Sequence, residues 1–220
     1  MSYQSTHPIH IRPFVLHRAP SARFPGKGAA AGRRNRYIRS AVRFAYYDNL
    51  SSEERRIYDA SDRVRAFRLF QPARFGGAVQ AVRAPLEAGK RDEVEGATQA
   101  LLDALADAFE VPRVRVRVLL TRPSSAASEL HGLYTHAPGG PPTIEVWMRT
   151  ARHSRVVAFR TYLRTVIHEL CHHLDFTKLE LPWSFHTRGF FQRESSLVNQ
   201  LAPPKPKLGR ASVRGQRERS

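Results

Sequence analysis

The chain has 220 residues, 41% of them hydrophobic, which suits one ordinary domain with tails and excludes a wholly disordered protein. Lys and Arg number 36 against 19 Asp and Glu, a formal charge of +17 that favours a polyanionic partner through counterion release. No apolar run approaches the roughly 20 residues of a membrane-spanning helix. No secretory-type apolar segment opens the chain, and the single Cys171 excludes an internal disulfide framework. A reducing cytoplasmic setting is expected, nuclear or nucleoid-associated if the protein sits on DNA.

Residues 1–36 carry no acid and end in Arg33, Arg34 and Arg36, a composition that predicts a disordered basic arm, with a targeting segment as its alternative. Residues 37–90 read as a helical N-terminal region. Ile38, Ala41, Val42 and Ala45 make a short stripe. Ser51 and Glu54 form a capping-box pair that opens a second helix holding Ile57, Ser61, Val64 and Phe67. The Pro- and Gly-bearing stretch 71–89 is expected to be irregular. Residues 91–202 form the predicted core domain. Its first helix runs from Asp92 to Phe109 with Val94, Leu101, Leu102 and Leu105 on one side. Pro112 ends that helix, and 113–118 alternates Arg with Val as a half-buried strand. Further strands are expected at 132–135 and 143–148, around the turn-rich 138–142. Phe159, Leu163, Val166, Ile167, Leu170 and Leu174 then hold a helical period, and a last helix spans Arg188 to Leu201. The fold class is therefore α+β. Residues 203–220, with Lys205, Lys207, Arg210 and Arg214, are expected to be a disordered basic tail.

The chemistry lies in His168-Glu169-Leu170-Cys171-His172, an H-E-x-x-H segment inside the strongest helical pattern. Four residues turn about 400°, so the two imidazoles share a face with Cβ atoms about 6 Å apart, a spacing that suits one zinc ion. Glu169 is turned about 100° away, beside the metal rather than on it, where it can take a proton from water. With 10 His in the chain, the motif arises by chance with a probability of only about 0.02. Candidates for a third ligand are His173, Asp175, His186 and Glu194. His186 is preferred, on a loop returning past Pro182-Trp183-Ser184, with Glu194 as its rival. His173 is expected to lie behind the ligands or on the surface, and Asp175 to accept a hydrogen bond from a ligand imidazole. Cys171 reads as a small helix residue, Trp183 as a packing lid, and His131, Tyr134 and His136 as strand or turn residues bordering the cleft, with Tyr134 as a candidate oxyanion donor.

These residues resemble the SprT-like (Spartan-type) zinc metallopeptidases, in which H-E-x-x-H is followed by a third histidine near a glycine and an aromatic residue. Here that segment is His186-Thr187-Arg188-Gly189-Phe190, with two residues between the histidine and the glycine. The resemblance covers about 92–201. It implies a minimal zincin-like fold, zinc on His168, His172 and His186, Glu169 as the catalytic base, and proteolysis of DNA-bound or crosslinked proteins. The C-terminal zinc ribbon of some such proteins is absent. Two other functions compete: a nucleic-acid-binding protein with a structural zinc, and a metal-dependent nuclease. The 143–148 strand is a candidate to hold an extended peptide by strand addition, and Arg113, Arg115 and Arg117 a candidate nucleic-acid track.

Overall fold

The computed structural model describes residues 44–123, 130–136 and 140–204. The basic arm, most of the 38–45 stripe and the tail from Lys205 onward lie outside the described residues. Helix α1, Ser52–Arg63, begins where the capping box places it: Ser51 Oγ accepts from Glu54 N at 3.2 Å, and Glu54 Oε2 from Ser51 N at 2.8 Å. It stops four residues short of Phe67, because Val64 turns to extended backbone. Phe67 and Leu69 reach the core from the segment that follows instead.

The 71–89 stretch is not irregular. A 3₁₀ turn at Pro72–Phe75 leads into α2, Gly76–Glu87, with Val79, Val82 and Leu86 buried in a stripe. Gly76 and Gly77 occupy the first turn, whose N–H groups lack helical partners in any case, and Pro85 sits near the other end. Burial of the stripe outweighs these breakers. Helix α3, Arg91–Phe109, follows and ends at Glu110, which is left-handed (φ 57°).

Strands β1 (Arg115–Thr121), β2 (Gly132–Thr135) and β3 (Thr143–Arg149) form a sheet in the order β1-β3-β2. β3 runs parallel to β1 and antiparallel to β2. β1 starts two residues later than its Arg-Val alternation suggests, at the Arg115↔Thr143 pairing. Val116, Val118, Ile144, Val146 and Tyr134 share the buried face, while Arg117 and Glu145 pair across the other at 2.7 Å. Helices α3, α4 (Phe159–Thr177) and α5 (Arg188–Leu201) complete the α+β fold. A hydrophobic cluster runs through all these elements from Phe67 to Leu201.

The central position of β3 corrects the expectation that it receives a peptide, since both its edges are paired. The edge of β1 is closed too: Val118 N donates to Glu95 Oε2 at 2.7 Å and Val116 N to Gln99 Oε1 at 2.8 Å. The remaining edge is that of β2. Two of the three candidate nucleic-acid arginines are also committed elsewhere, Arg113 to Asp107 and Asp103, and Arg117 to Glu145. No helix among the described residues is long and apolar enough to cross a membrane.

Candidate metal centre

Helix α4 is buried continuously from Thr165 to Asp175, so its polar residues must find partners on both flanks. Its period of 3.6 turns His168 and His172 toward α5 and the 178–187 loop, and that loop brings His186 to them. His186 Nε2 lies 2.9 Å from His168 Nε2 and 3.1 Å from His172 Nε2. Each of the three offers a ligand atom within 4.8 Å of the others. The buried ring of Phe190 lies against all three imidazoles, with centroids 4.7–5.1 Å away. His186 is fixed from outside by Tyr46, whose hydroxyl donates to its carbonyl at 2.8 Å. Thr187 then caps α5, its side chain accepting from Phe190 N.

Proton counting shows that the triad suits a cation. The Ser184 hydroxyl donates to Asp175 Oδ2 at 2.7 Å, so its oxygen accepts from His172 Nδ1–H, also at 2.7 Å. Glu194 Oε2 accepts from His168 Nδ1–H at 2.9 Å. Both imidazoles therefore carry lone pairs on Nε2, and these point at His186 Nε2, which has at most one proton to offer them. Two nitrogens bound at about 2.05 Å to one tetrahedral ion lie roughly 3.3 Å apart, close to the spacing found. Burial holds His168 and His172 well below the usual imidazole pKa and pushes His186 down to about 4, so all three are neutral at pH 7, the form that ligates.

Glu169, about 100° around α4 from His168, lies beneath β2. Tyr134 N–H donates to its carboxylate, Oε1 has no partner, and burial raises its pKa well above the usual carboxylate range. A Cβ on Gly132 would collide with this carboxylate, so only glycine lets β2 lie so close. The backbone of Tyr134 in β2 thus borders Glu169.

The other candidates take different places. Glu194 stands behind His168, on the ring nitrogen away from the convergence point, and also pairs with Arg164. Asp175 does not touch an imidazole; Ser184 intervenes, and Arg193 Nη2 donates to both its oxygens at 2.6 and 2.7 Å. Burial pushes Asp175 up to about 6 against the pull of Arg193, which leaves it ionised at pH 7. His173 is neither at the surface nor behind the ligands: it bonds Tyr134 Oη at 3.0 Å and the Pro112 carbonyl at 2.7 Å. Tyr134 is buried and committed to that bond, which removes it as an oxyanion donor. Cys171 is buried and its thiol pushed up. Trp183 is 42% exposed. His136 stacks edge-on to Phe176, and His131 lies close enough for its charge to bear on His168.

Sequence reasoning missed Ser184, Arg164, Arg193, Gly132 and Tyr46. Arg193 alone carried a local signal, since it follows Phe190 by three residues on the inner face of α5. No family model matches the chain, and neither a curated protein nor a solved structure does.

Proposed function

We propose that the protein is a zinc-dependent metallopeptidase of the SprT-like, zincin-like class, with zinc held by His168, His172 and His186 and Glu169 as the general base. The observation that carries this reading is the convergence of three neutral imidazole nitrogens, with a buried carboxylate that has one unpartnered oxygen on the helix residue next to His168. A bound zinc supplies Lewis acidity, lowering the pKa of water toward about 7 and stabilising negative charge on a carbonyl oxygen. Glu169 Oε1 takes the proton of the attacking water as the new C–O bond forms. It delivers that proton to the departing amine as the C–N bond breaks. Burial raises the pKa of Glu169, the direction that suits a group that both takes and returns a proton. The β2 edge, which lies along the carboxylate, receives the extended peptide by strand addition.

Against a closed structural zinc site stands the position of both nearby carboxylates, Glu194 and Asp175, which serve the far ring nitrogens directly or through Ser184. Substrates held on DNA follow from the family resemblance together with the charge of +17. The test is Glu169→Gln, assayed for bound zinc and for casein hydrolysis. Zinc retained with hydrolysis reduced by at least about a thousandfold is expected. Wild-type turnover in the variant would refute the assigned mechanism, and DNA cleavage that survives while casein is untouched would favour the nuclease.

A further inference from the structure

Far along the chain from the triad, residues 63–86 carry five arginines with no acid and no lysine. Within them, 64–70 lies outside any helix or strand and is clamped to α5: Leu69 N donates to Gln200 Oε1 at 2.9 Å and Gln200 Nε2 donates to the Phe67 carbonyl at 2.8 Å. With Phe67 and Leu69 turned into the core, the period of two turns Arg68 and Phe70 outward. Phe70 is 75% exposed, the largest exposure of any bulky apolar side chain among the described residues. Gln71 follows in a left-handed conformation (φ 48°) and Pro72 fixes the next turn, so the backbone around Phe70 is preset.

Arg63, Arg65, Arg68 and Arg74 are all exposed, and none forms an ion pair among the described residues. Arg91, Arg113, Arg117 and Arg164 elsewhere each have a carboxylate. The positive charge of this segment is therefore unneutralised, and an aromatic face stands among it. We propose that the 63–74 segment is a binding surface for single-stranded nucleic acid, with Phe70 stacking on a base and the arginines gripping flanking phosphates.

Each physical element of such recognition is present. Stacking on an aromatic ring needs an unpaired base, which a duplex hides. Guanidinium groups match phosphate oxygens as a planar fork and also lie flat on bases, which a lysine does not do. The clamped backbone spares part of the ordering entropy of binding. An anionic membrane fits less well, because one phenylalanine among arginines offers little apolar area to insert. The surface needs neither the metal nor Glu169, so it stands or falls separately from the hydrolytic reading.

The test is fluorescence anisotropy of the full chain with labelled oligo(dT) of about 20 nucleotides and with a duplex of equal length across a salt series. Phe70→Ala should weaken oligo(dT) binding roughly tenfold with an unchanged salt slope, leave duplex binding within about twofold, and be rescued by Phe70→Trp. Arg65→Ser with Arg68→Ser should flatten the single-strand salt slope by about 1.4. Thermal melting of each variant, expected to match wild type because these side chains are exposed, separates binding from folding. Unchanged oligo(dT) affinity in a folded Phe70→Ala would overturn the proposal. So would binding to phosphatidylserine vesicles, in preference to oligo(dT), that the same substitution abolishes.

Discussion

The two histidines on α4 sit one turn apart and face the same point, yet they are held from behind by opposite means. His168 is bonded directly by a carboxylate, Glu194, whose other oxygen meets Arg164, a side chain 44% exposed to solvent. His172 is bonded by a neutral hydroxyl, Ser184, and the charge lies one step further back in the Asp175–Arg193 pair, which is fully buried. Arg193 Nη1 also donates to the carbonyls of Ser61 and Val64, and Nη2 to Ser61 Oγ, so this second support begins at α1. Asp62 of the same helix accepts from Gly189 N at 2.7 Å, where a Cβ would strike its carbonyl. A carboxylate in contact with an imidazole raises its basicity, whereas a hydroxyl fixes its tautomer while passing on little charge. Glu194 thus tunes the site, and Arg193 ties the site to the fold.

That difference is open to attack by substitution. Arg193→Met should be the most damaging change, because Asp175 is left buried without its cation; a loss of about 3–5 kcal/mol in urea unfolding is expected. A loss below about 1 kcal/mol would mean that the pair holds nothing together. Glu194→Gln should reverse the balance, weakening zinc binding by about 10–100-fold in chelator competition. Its effect on unfolding should be small, since water can reach Arg164. Ser184→Ala falls between the two supports: it frees His172 Nδ1–H and removes one donor from Asp175, for about 1–2 kcal/mol of stability and a smaller loss of zinc affinity than Glu194→Gln.

The gentlest probe is pH. The three imidazoles have folded pKa values below their unfolded value near 6.5, so below about 6.5 these three groups bind more protons in the unfolded chain than in the native one. Their contribution is complete above about 6.5 and is lost as pH falls. Glu169, Glu194 and Asp175 shift upward and act in the other direction. The share of the triad is therefore read by difference: zinc-free wild type should lose stability faster on acidification than the His168→Gln, His172→Gln, His186→Gln triple variant. Parallel curves would mean that the imidazoles are not proton-poor in the fold.

Much of this arrangement was legible in the sequence where the information is local. Helices α3, α4 and α5 follow from a period of 3.6 in their apolar residues, β1 from alternation and β2 and β3 from the turn-rich segment between them, and the spacing of His168 and His172 follows from one turn of helix. Helix α2 was hidden because Gly76, Gly77 and Pro85 are strong local breakers, and only tertiary burial of Val79, Val82 and Leu86 overrides them. The order β1-β3-β2 has no local signature, so nothing in the alternation of β3 distinguished a central strand from an edge. Ser184 lies in a loop whose path is set by what it packs on. His173 was misplaced because the helical wheel fixes only its direction, not the Tyr134 hydroxyl and Pro112 carbonyl that wait there.

Calorimetric titration of zinc into metal-free protein reads whether His168, His172 and His186 hold one metal ion. One site per chain is expected, weakened by at least about a hundredfold in each of His168→Ala, His172→Ala and His186→Ala, and less by Glu194→Ala. Stoichiometric zinc with wild-type affinity in His186→Ala, or a larger loss from Glu194→Ala than from His186→Ala, would contradict it.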